Sequence, residues 1–318
     1  MTVLEAIQKS TEFLAKKGVE SPRLQTELLL ARLLKLPRMK LYLNFERVLT
    51  PAETDALREF IKRRGQHEPL QHITGSISFC GLEIAVNRQA LIPRPETELL
   101  AEAGRQFLAE RRSPTRRDVS ECAGSETGVP AALDLGTGTG CIAITLAVKC
   151  PEAKITATDI SAEALALAKA NAMRNGVAER IEFLQGDAFA AIQSEGQVPR
   201  VLESSEEAGN SHNSSLRKFD LIISNPPYIP SAEIATLQPE VRDFDPRVAL
   251  DGGADGLDFY RRFSAQAKSF LKPDGKMMLE FGDGQAEAIR ELFENEKWIV
   301  EAVKQDYSHR ARVLIVRR

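Results

Sequence analysis

The chain has 318 residues, 43% hydrophobic and 27% charged, with a net charge of −3. That composition belongs to a globular protein with room for two domains and excludes disordered and fibrous classes. The mild net charge lacks the basic footprint that high-affinity duplex binding needs. Charge is nevertheless uneven: residues 1–80 carry 13 basic and 9 acidic side chains, with Arg58, Lys62, Arg63 and Arg64 forming a local basic face.

Cys80, Cys122, Cys141 and Cys150 form no CxxC pair and no histidines fall at finger spacing, so no metal site is expected and the thiols read as reduced. Glu5, Lys9, Glu12, Lys16 and Lys17 rule out the apolar core of a signal peptide in the first turns. No uncharged stretch is long enough to span a bilayer, and a cytoplasmic protein without a membrane partner is expected.

Residues 1–65 read as a helical domain, with Leu4, Ile7, Phe13 and Leu14 and then Leu24, Leu28, Leu29 and Leu33 near helical spacing. Thr50 and Glu53 predict a capping box. Residues 66–95 read as a β-hairpin linker, with Ile73, Ile77, Phe79, Leu82, Ile84 and Val86 around Cys80 and Gly81. Its last part, Leu91–Glu98, is stiffened by prolines and starts a helix with acids at its N-terminus. Arg94 in that run reads as a structural ion-pair partner ahead of a cofactor or substrate contact. Residues 111–129 are polar and read as an exposed loop.

Within 96–318 the pattern alternates strand and helix. Strands are expected at Ala131–Leu135, Lys154–Asp159, Ile181–Gln185 and Phe219–Ser224, with helices at Cys141–Lys149 and Ala162–Asn175. This repetition predicts an α/β fold with a mostly parallel sheet and right-handed crossovers. Residues 193–217 are polar and aperiodic and read as a surface insertion. A helix from about Leu257 to Leu271, a strand Lys276–Phe281, a helix Gln285–Asn295 and an antiparallel edge pair near Trp298–Val303 and Val313–Val316 complete the expected order.

Two motifs fall at strand ends. Gly136-Thr137-Gly138-Thr139-Gly140 follows the first strand, where glycines let the backbone turn tightly and approach a ligand. Its spacing differs from the G-x-G-x-x-G that delivers a pyrophosphate to a helix N-terminus, and it suits a nucleoside with a sulfonium chain, S-adenosylmethionine. Asp159 lies at the distance at which an acid meets ribose hydroxyls, with Ser161 the better helix cap. Asp187, in Gly186-Asp187-Ala188, reads equally as an adenine neighbour and as a loop acid. The second motif, Asn225-Pro226-Pro227-Tyr228, is a stiff turn at the end of Phe219–Ser224, presenting an amide, carbonyls and an aromatic ring to a planar amide or base edge.

Together these residues resemble a class I S-adenosylmethionine-dependent methyltransferase with a Rossmann-like sheet. The run Leu91–Leu99, the helical N-terminal part, the stretch Glu240-Val241-Arg242 through Ala249-Leu250-Asp251-Gly252-Gly253 and the following Asp255-Gly256-Leu257 resemble one family within it, the release factor glutamine N5-methyltransferases (PrmC/HemK). The resemblance implies that the substrate is the glutamine of the Gly-Gly-Gln loop in class 1 peptide chain release factors. It implies that Gly136, Thr137, Gly138, Thr139, Gly140, Asp159, Asp187, Ala188 and Asn225 hold the cofactor. Asn225, Pro226, Pro227 and Tyr228 would hold the substrate amide, the Asn225 oxygen and Pro226 carbonyl accepting from its NH₂ while Tyr228 packs over its plane. Ala188 stands where a larger aromatic is common, so stacking on adenine falls to Phe189 or is absent. A monomer with no stable nucleic-acid partner is expected, its helical domain reading the release factor's shape with help from the basic face. The rival reading is a nucleic-acid amino-group methyltransferase, since the same turn suits a flipped adenine.

Overall fold

Thr2 and Glu5 exchange hydrogen bonds, Glu5 N to Thr2 Oγ1 at 3.2 Å and Thr2 N to Glu5 Oε2 at 2.9 Å, and this capping box starts the first helix. The computed structural model describes residues 1–111, 128–193 and 217–318. The expected insertion at 193–217 and loop at 111–129 therefore lie, apart from their ends, outside the described residues. Contacts divide the chain into two units: residues 1–77, 86–88 and 235–245, and residues 78–85, 89–234 and 246–318.

The first unit is helical. α1 (Val3–Lys16), α2 (Pro22–Leu34), α3 (Arg38–Leu41), α4 (Pro51–Arg64) and α5 (Leu70–Thr74) surround a core of Val3, Ile7, Leu14, Leu29, Leu30, Leu41, Leu57 and Ile61. The Thr50–Glu53 capping box opens α4 as its sequence predicts. α5 occupies residues that alternate enough to read as hairpin, so the hairpin is shorter: β1 (Ser76–Phe79) and β2 (Leu82–Ala85).

Residues 235–245, with the short helix Pro239–Arg242 (α10 by its place in the chain), belong to this unit although they follow it by some 150 positions. Arg64 explains why: its side chain is 1% exposed and its guanidinium meets Gln25, the Glu68 carbonyl and Glu240. Arg63 is paired with Glu68 at 2.7 Å and Arg58 with Asp55 at 2.8 Å. The three arginines of the expected basic face are thus paired with acids, and its most C-terminal member is part of the interior.

The second unit is a seven-stranded sheet with helices. In chain order it contains α6 (Thr97–Glu110), β3 (Ala131–Leu135), α7 (Cys141–Lys149), β4 (Lys154–Asp159), α8 (Ala162–Arg174), β5 (Ile181–Gln185), α9 (Ala190–Gln193) and β6 (Phe219–Ser224). α11 (Asp258–Gln266), β7 (Leu271–Glu280), α12 (Ala286–Asn295), β8 (Ile299–Gln305) and β9 (Ala311–Arg317) follow. β7 begins five residues before the expected strand because Leu271 pairs with Phe219, past an irregularity opposite Leu221.

The strand order is β5-β4-β3-β6-β7-β9-β8. All neighbours are parallel except β9, which is antiparallel to β7 and β8. β3 sends its crossover to β4 on one side while β6 pairs on the other, so the order reverses at β3 and β6. Reversal leaves a crevice beyond the carboxyl ends of those strands, where open α/β sheets hold ligands. β6 is buried at all six positions, as a central parallel strand covered on both faces must be. Phe189, Phe219, Phe263, Phe270, Phe281 and Phe293 fill one side of the sheet with Tyr260 and Trp298.

Candidate active site

The chain leaves β3 through Gly136, Gly138 and Gly140, whose φ angles of +69°, +56° and +81° lie where side chains are disfavoured. The loop is tied to the end of β4: Thr137 N donates to the Thr158 carbonyl at 2.8 Å, and Gly138 N to Asp159 Oδ2 at 2.8 Å. Asp159 Oδ1 accepts Ser161 N at 3.0 Å, while Ser161 caps α8 by accepting Ala164 N at 3.1 Å. Beneath the loop Asp134 accepts the Thr137 hydroxyl at 2.7 Å and Ala143 N at 3.2 Å. Burial, outweighing those two donors, pushes the Asp134 carboxyl up to about 7.

β6 ends one strand away. Ser224 Oγ donates to the Leu135 carbonyl at 2.6 Å, joining the two strand ends. Asn225 Nδ2 donates to Thr97 Oγ1 at 3.1 Å. The prolines bring no N–H, and the turn is braced through its carbonyls. Gln285 Nε2 donates to Tyr228 O at 2.9 Å, while a Cβ on Gly256 would lie 2.3 Å from that oxygen and one on Gly252 2.9 Å from Pro227 O. Ile229 N donates to the Leu250 carbonyl at 3.0 Å and the Ile229 carbonyl accepts Gly252 N at 2.9 Å, so residues 250–256 clamp the turn's exit.

Between loop and turn lies a cleft of about 1230 Å³, its open mouth included. It is lined by Gly136, Thr137, Gly138, Thr139, Asp159, Asp187, Ala188, Asn225, Pro226 and Pro227, ten of the residues singled out from sequence. Gly140 is absent from the lining. It packs α7 against α8, a Cβ there falling 3.0 Å from Ile144 Cδ1 and 3.1 Å from the Ala168 Cβ. Tyr228 also stands outside the lining. Its ring meets Gly282, and burial beside Glu280 pushes its phenol up to about 12.

Asp187 faces the cleft but is paired with Arg262 at 2.8 Å. Ala188 holds a φ of +50°, unusual for a residue with a Cβ. Phe189 is 1% exposed and stacked on Phe270 with ring centroids 4.7 Å apart, so it belongs to the core and offers nothing to a base in the cleft. Apolar surface there comes instead from Ile160, Val248 and Phe259. Sequence reasoning missed these three and Thr97. Ile160, beside Asp159, carried a signal: a large apolar residue just past a buried strand, left 54% exposed.

Residues 5–75 match the family described as PrmC N-terminal domain, and residues 130–312 match a methyltransferase domain. The release factor glutamine methyltransferase of Geobacter sulfurreducens is 40% identical over 92% of this chain and 88% of its own. That of Chlorobaculum tepidum is 40% identical over 96% and 94%. The chain belongs to the release factor glutamine methyltransferase family.

As a methyltransferase of that family it also aligns end to end with the Moorella thermoacetica member, at 35% identity over 100% of this chain and 99% of that one. Among solved structures, the ribosomal protein L11 methylase of Lactobacillus delbrueckii subsp. bulgaricus covers 70% of this chain and 78% of its own at 19% identity and a TM-score of 0.42, too distant to add to the assignment. Among the described residues of this family member, no helix is long and apolar enough to cross a membrane.

Proposed function

We propose that this methyltransferase transfers the methyl group of S-adenosylmethionine to the side-chain amide nitrogen (N5) of the glutamine in the Gly-Gly-Gln motif of class 1 peptide chain release factors, in the cytoplasm. One observation carries the reading. Asn225 lines the cleft while its Nδ2 is committed to Thr97, which leaves Oδ1 as an acceptor beside the glycine loop.

The cleft's chemistry fits the cofactor. A Cβ on Gly136 would enter open space and one on Gly138 would meet only Ala90 at 3.9 Å, so bare backbone faces a ligand there. Asp159 spends one bond per oxygen on backbone N–H groups and keeps lone pairs for ribose hydroxyls. Ile160, Ala188 and Phe259 offer apolar faces to a base, and Asp187 an acceptor beside it. When bound, the cofactor supplies a methyl group already activated on a sulfonium leaving group.

What remains is the chain's work. An amide nitrogen is a weak nucleophile because its lone pair is shared with the carbonyl. The Asn225 oxygen and the Pro226 carbonyl accept its two hydrogens, orient the nitrogen and favour the positive charge that grows there. After transfer the nitrogen sheds one proton to water, so neither acceptor has to act as a base. Tyr228, braced by Gly282 and Gln285, fixes the far end of the turn. Alignment of nitrogen with the methyl carbon supplies much of the remaining acceleration.

The test is to incubate the enzyme with methyl-labelled S-adenosylmethionine and, separately, release factor, ribosomal RNA or DNA. Label on the Gly-Gly-Gln glutamine is expected. Label on nucleic acid, with none on release factor, would establish the rival reading.

A further inference from the structure

Glu280 ends β7 with its side chain 2% exposed, and its Oε2 has no hydrogen-bond partner among the described residues. A buried carboxyl is costly to a fold, and the transfer described above makes no use of this one. The carboxyl faces two side chains, the Thr97 hydroxyl and the Asn225 amide. Thr97 Oγ1 already accepts from Asn225 Nδ2 at 3.1 Å, so the hydroxyl proton is free to point at Glu280. A carboxylate has no proton to give. Either neighbour can therefore meet it only as a donor, and the one bond already in place, Asn225 Nδ2 to Thr97 Oγ1, points inward in the same sense.

The two ends of a carboxamide are nearly identical in shape, and only the surrounding hydrogen bonds decide which end faces which way. We infer that Glu280 and Thr97 are positioning residues for methyl transfer: they draw the Asn225 NH₂ inward and so hold its Oδ1 toward the cleft, where the substrate NH₂ must be received. The inference rests on the proposed reading that the substrate is an amide. A reversed Asn225 would set donor against donor and leave the nitrogen unoriented.

Burial, against the pull of Thr97, pushes Glu280 up to about 7. Other titratable and charged groups face it from each surrounding element: Glu96 ahead of α6, Arg312 on β9, Tyr228 in the turn, Tyr260 on α11 and Cys141 on α7. Above pH 7 the ionised acid only accepts and holds Asn225 one way. Below it the neutral acid carries a proton that Asn225 Oδ1 can take, and the reversed amide becomes available.

Glu280→Gln keeps the shape and carries a permanent NH₂, so it reproduces the neutral state at every pH. At pH 8 its kcat with release factor should fall about ten-fold, less than the roughly 10² that outright misplacement brings, with both KM values unchanged. Its rate should be flat from pH 6 to 8, where the wild-type rate rises. Its Tm should be unchanged or higher, and more so at pH 8 than at pH 5. The reason is linkage: a carboxyl whose folded pKa is raised above 4.5 to about 7 costs the fold nothing below the lower value and most above the upper one.

Selective ¹⁵N labelling of asparagine supplies a readout free of turnover. The Asn225 NH₂ resonance should shift through pH 7 in the wild type and stay fixed in E280Q. A variant that labels release factor at the wild-type rate with the wild-type pH profile overturns the inference, as does an Asn225 resonance indifferent to Glu280. Loss of kcat together with a lower Tm reduces Glu280 to a structural residue. A wild-type enzyme that labels no release factor defeats the proposed substrate instead, and the resonance still decides the orientation of Asn225.

Discussion

The glycine loop and the proline turn leave paired strands, β3 and β6, and reach fixed shapes by opposite means. The loop is set mostly by its own backbone, through left-handed glycines and N–H groups bonded to the end of β4. The turn has almost no donors of its own and is held from outside by Gln285, Gly252, Gly256 and Thr97. A self-determined loop is sensitive at its own positions. A braced turn is sensitive at positions far along the chain.

The largest expected effect tests what the bracing is for. Asn225→Ala should lower turnover by roughly 10² or more, the scale of losing one preorganised polar group, with cofactor affinity little changed. A near-wild-type single-turnover rate would remove the turn from the chemistry. Next comes the bracing itself: Gly256→Ala places a Cβ 2.3 Å from Tyr228 O at a φ of +78°. The variant should lose about 1–3 kcal/mol of stability in urea melts, and an unchanged midpoint would mean the turn holds itself. On the loop side, Asp159→Ala should raise the cofactor's dissociation constant about ten-fold, since hydrogen bonds to a charged group are worth about 1.5–3 kcal/mol. Unchanged binding by calorimetry would leave Asp159 as a loop tie alone. Arg58→Ala removes a pair exposed on both sides and belongs to neither mechanism. Its stability should stay within about 0.5 kcal/mol of wild type, and a larger loss would show that surface charge matters to the helical unit.

The same contrast explains what could be read beforehand. β3, α7, β4, β5 and β6 fall at the boundaries their apolar runs and flanking glycines predict, because period and punctuation are local. The glycine loop and Asp159 were legible for that reason. α5 was not, since five residues are too few to display a helical period. Arg64 looked like one charge of a local basic face, and its partner Glu240 is 176 positions away. Thr97 looked like part of a helix start and Glu280 like one residue of a strand. Their meaning lies in facing Asn225, which three separate stretches of chain must fold together to create.

Residues 235–245 carry one more consequence. During synthesis Arg64 emerges 176 positions ahead of Glu240. At about 5–20 residues per second the ribosome needs on the order of ten seconds or more to cover that stretch. Until residues 235–245 are made, the Arg64 guanidinium lacks its Glu240 partner. The N-terminal unit is closed by a segment made long after its own helices.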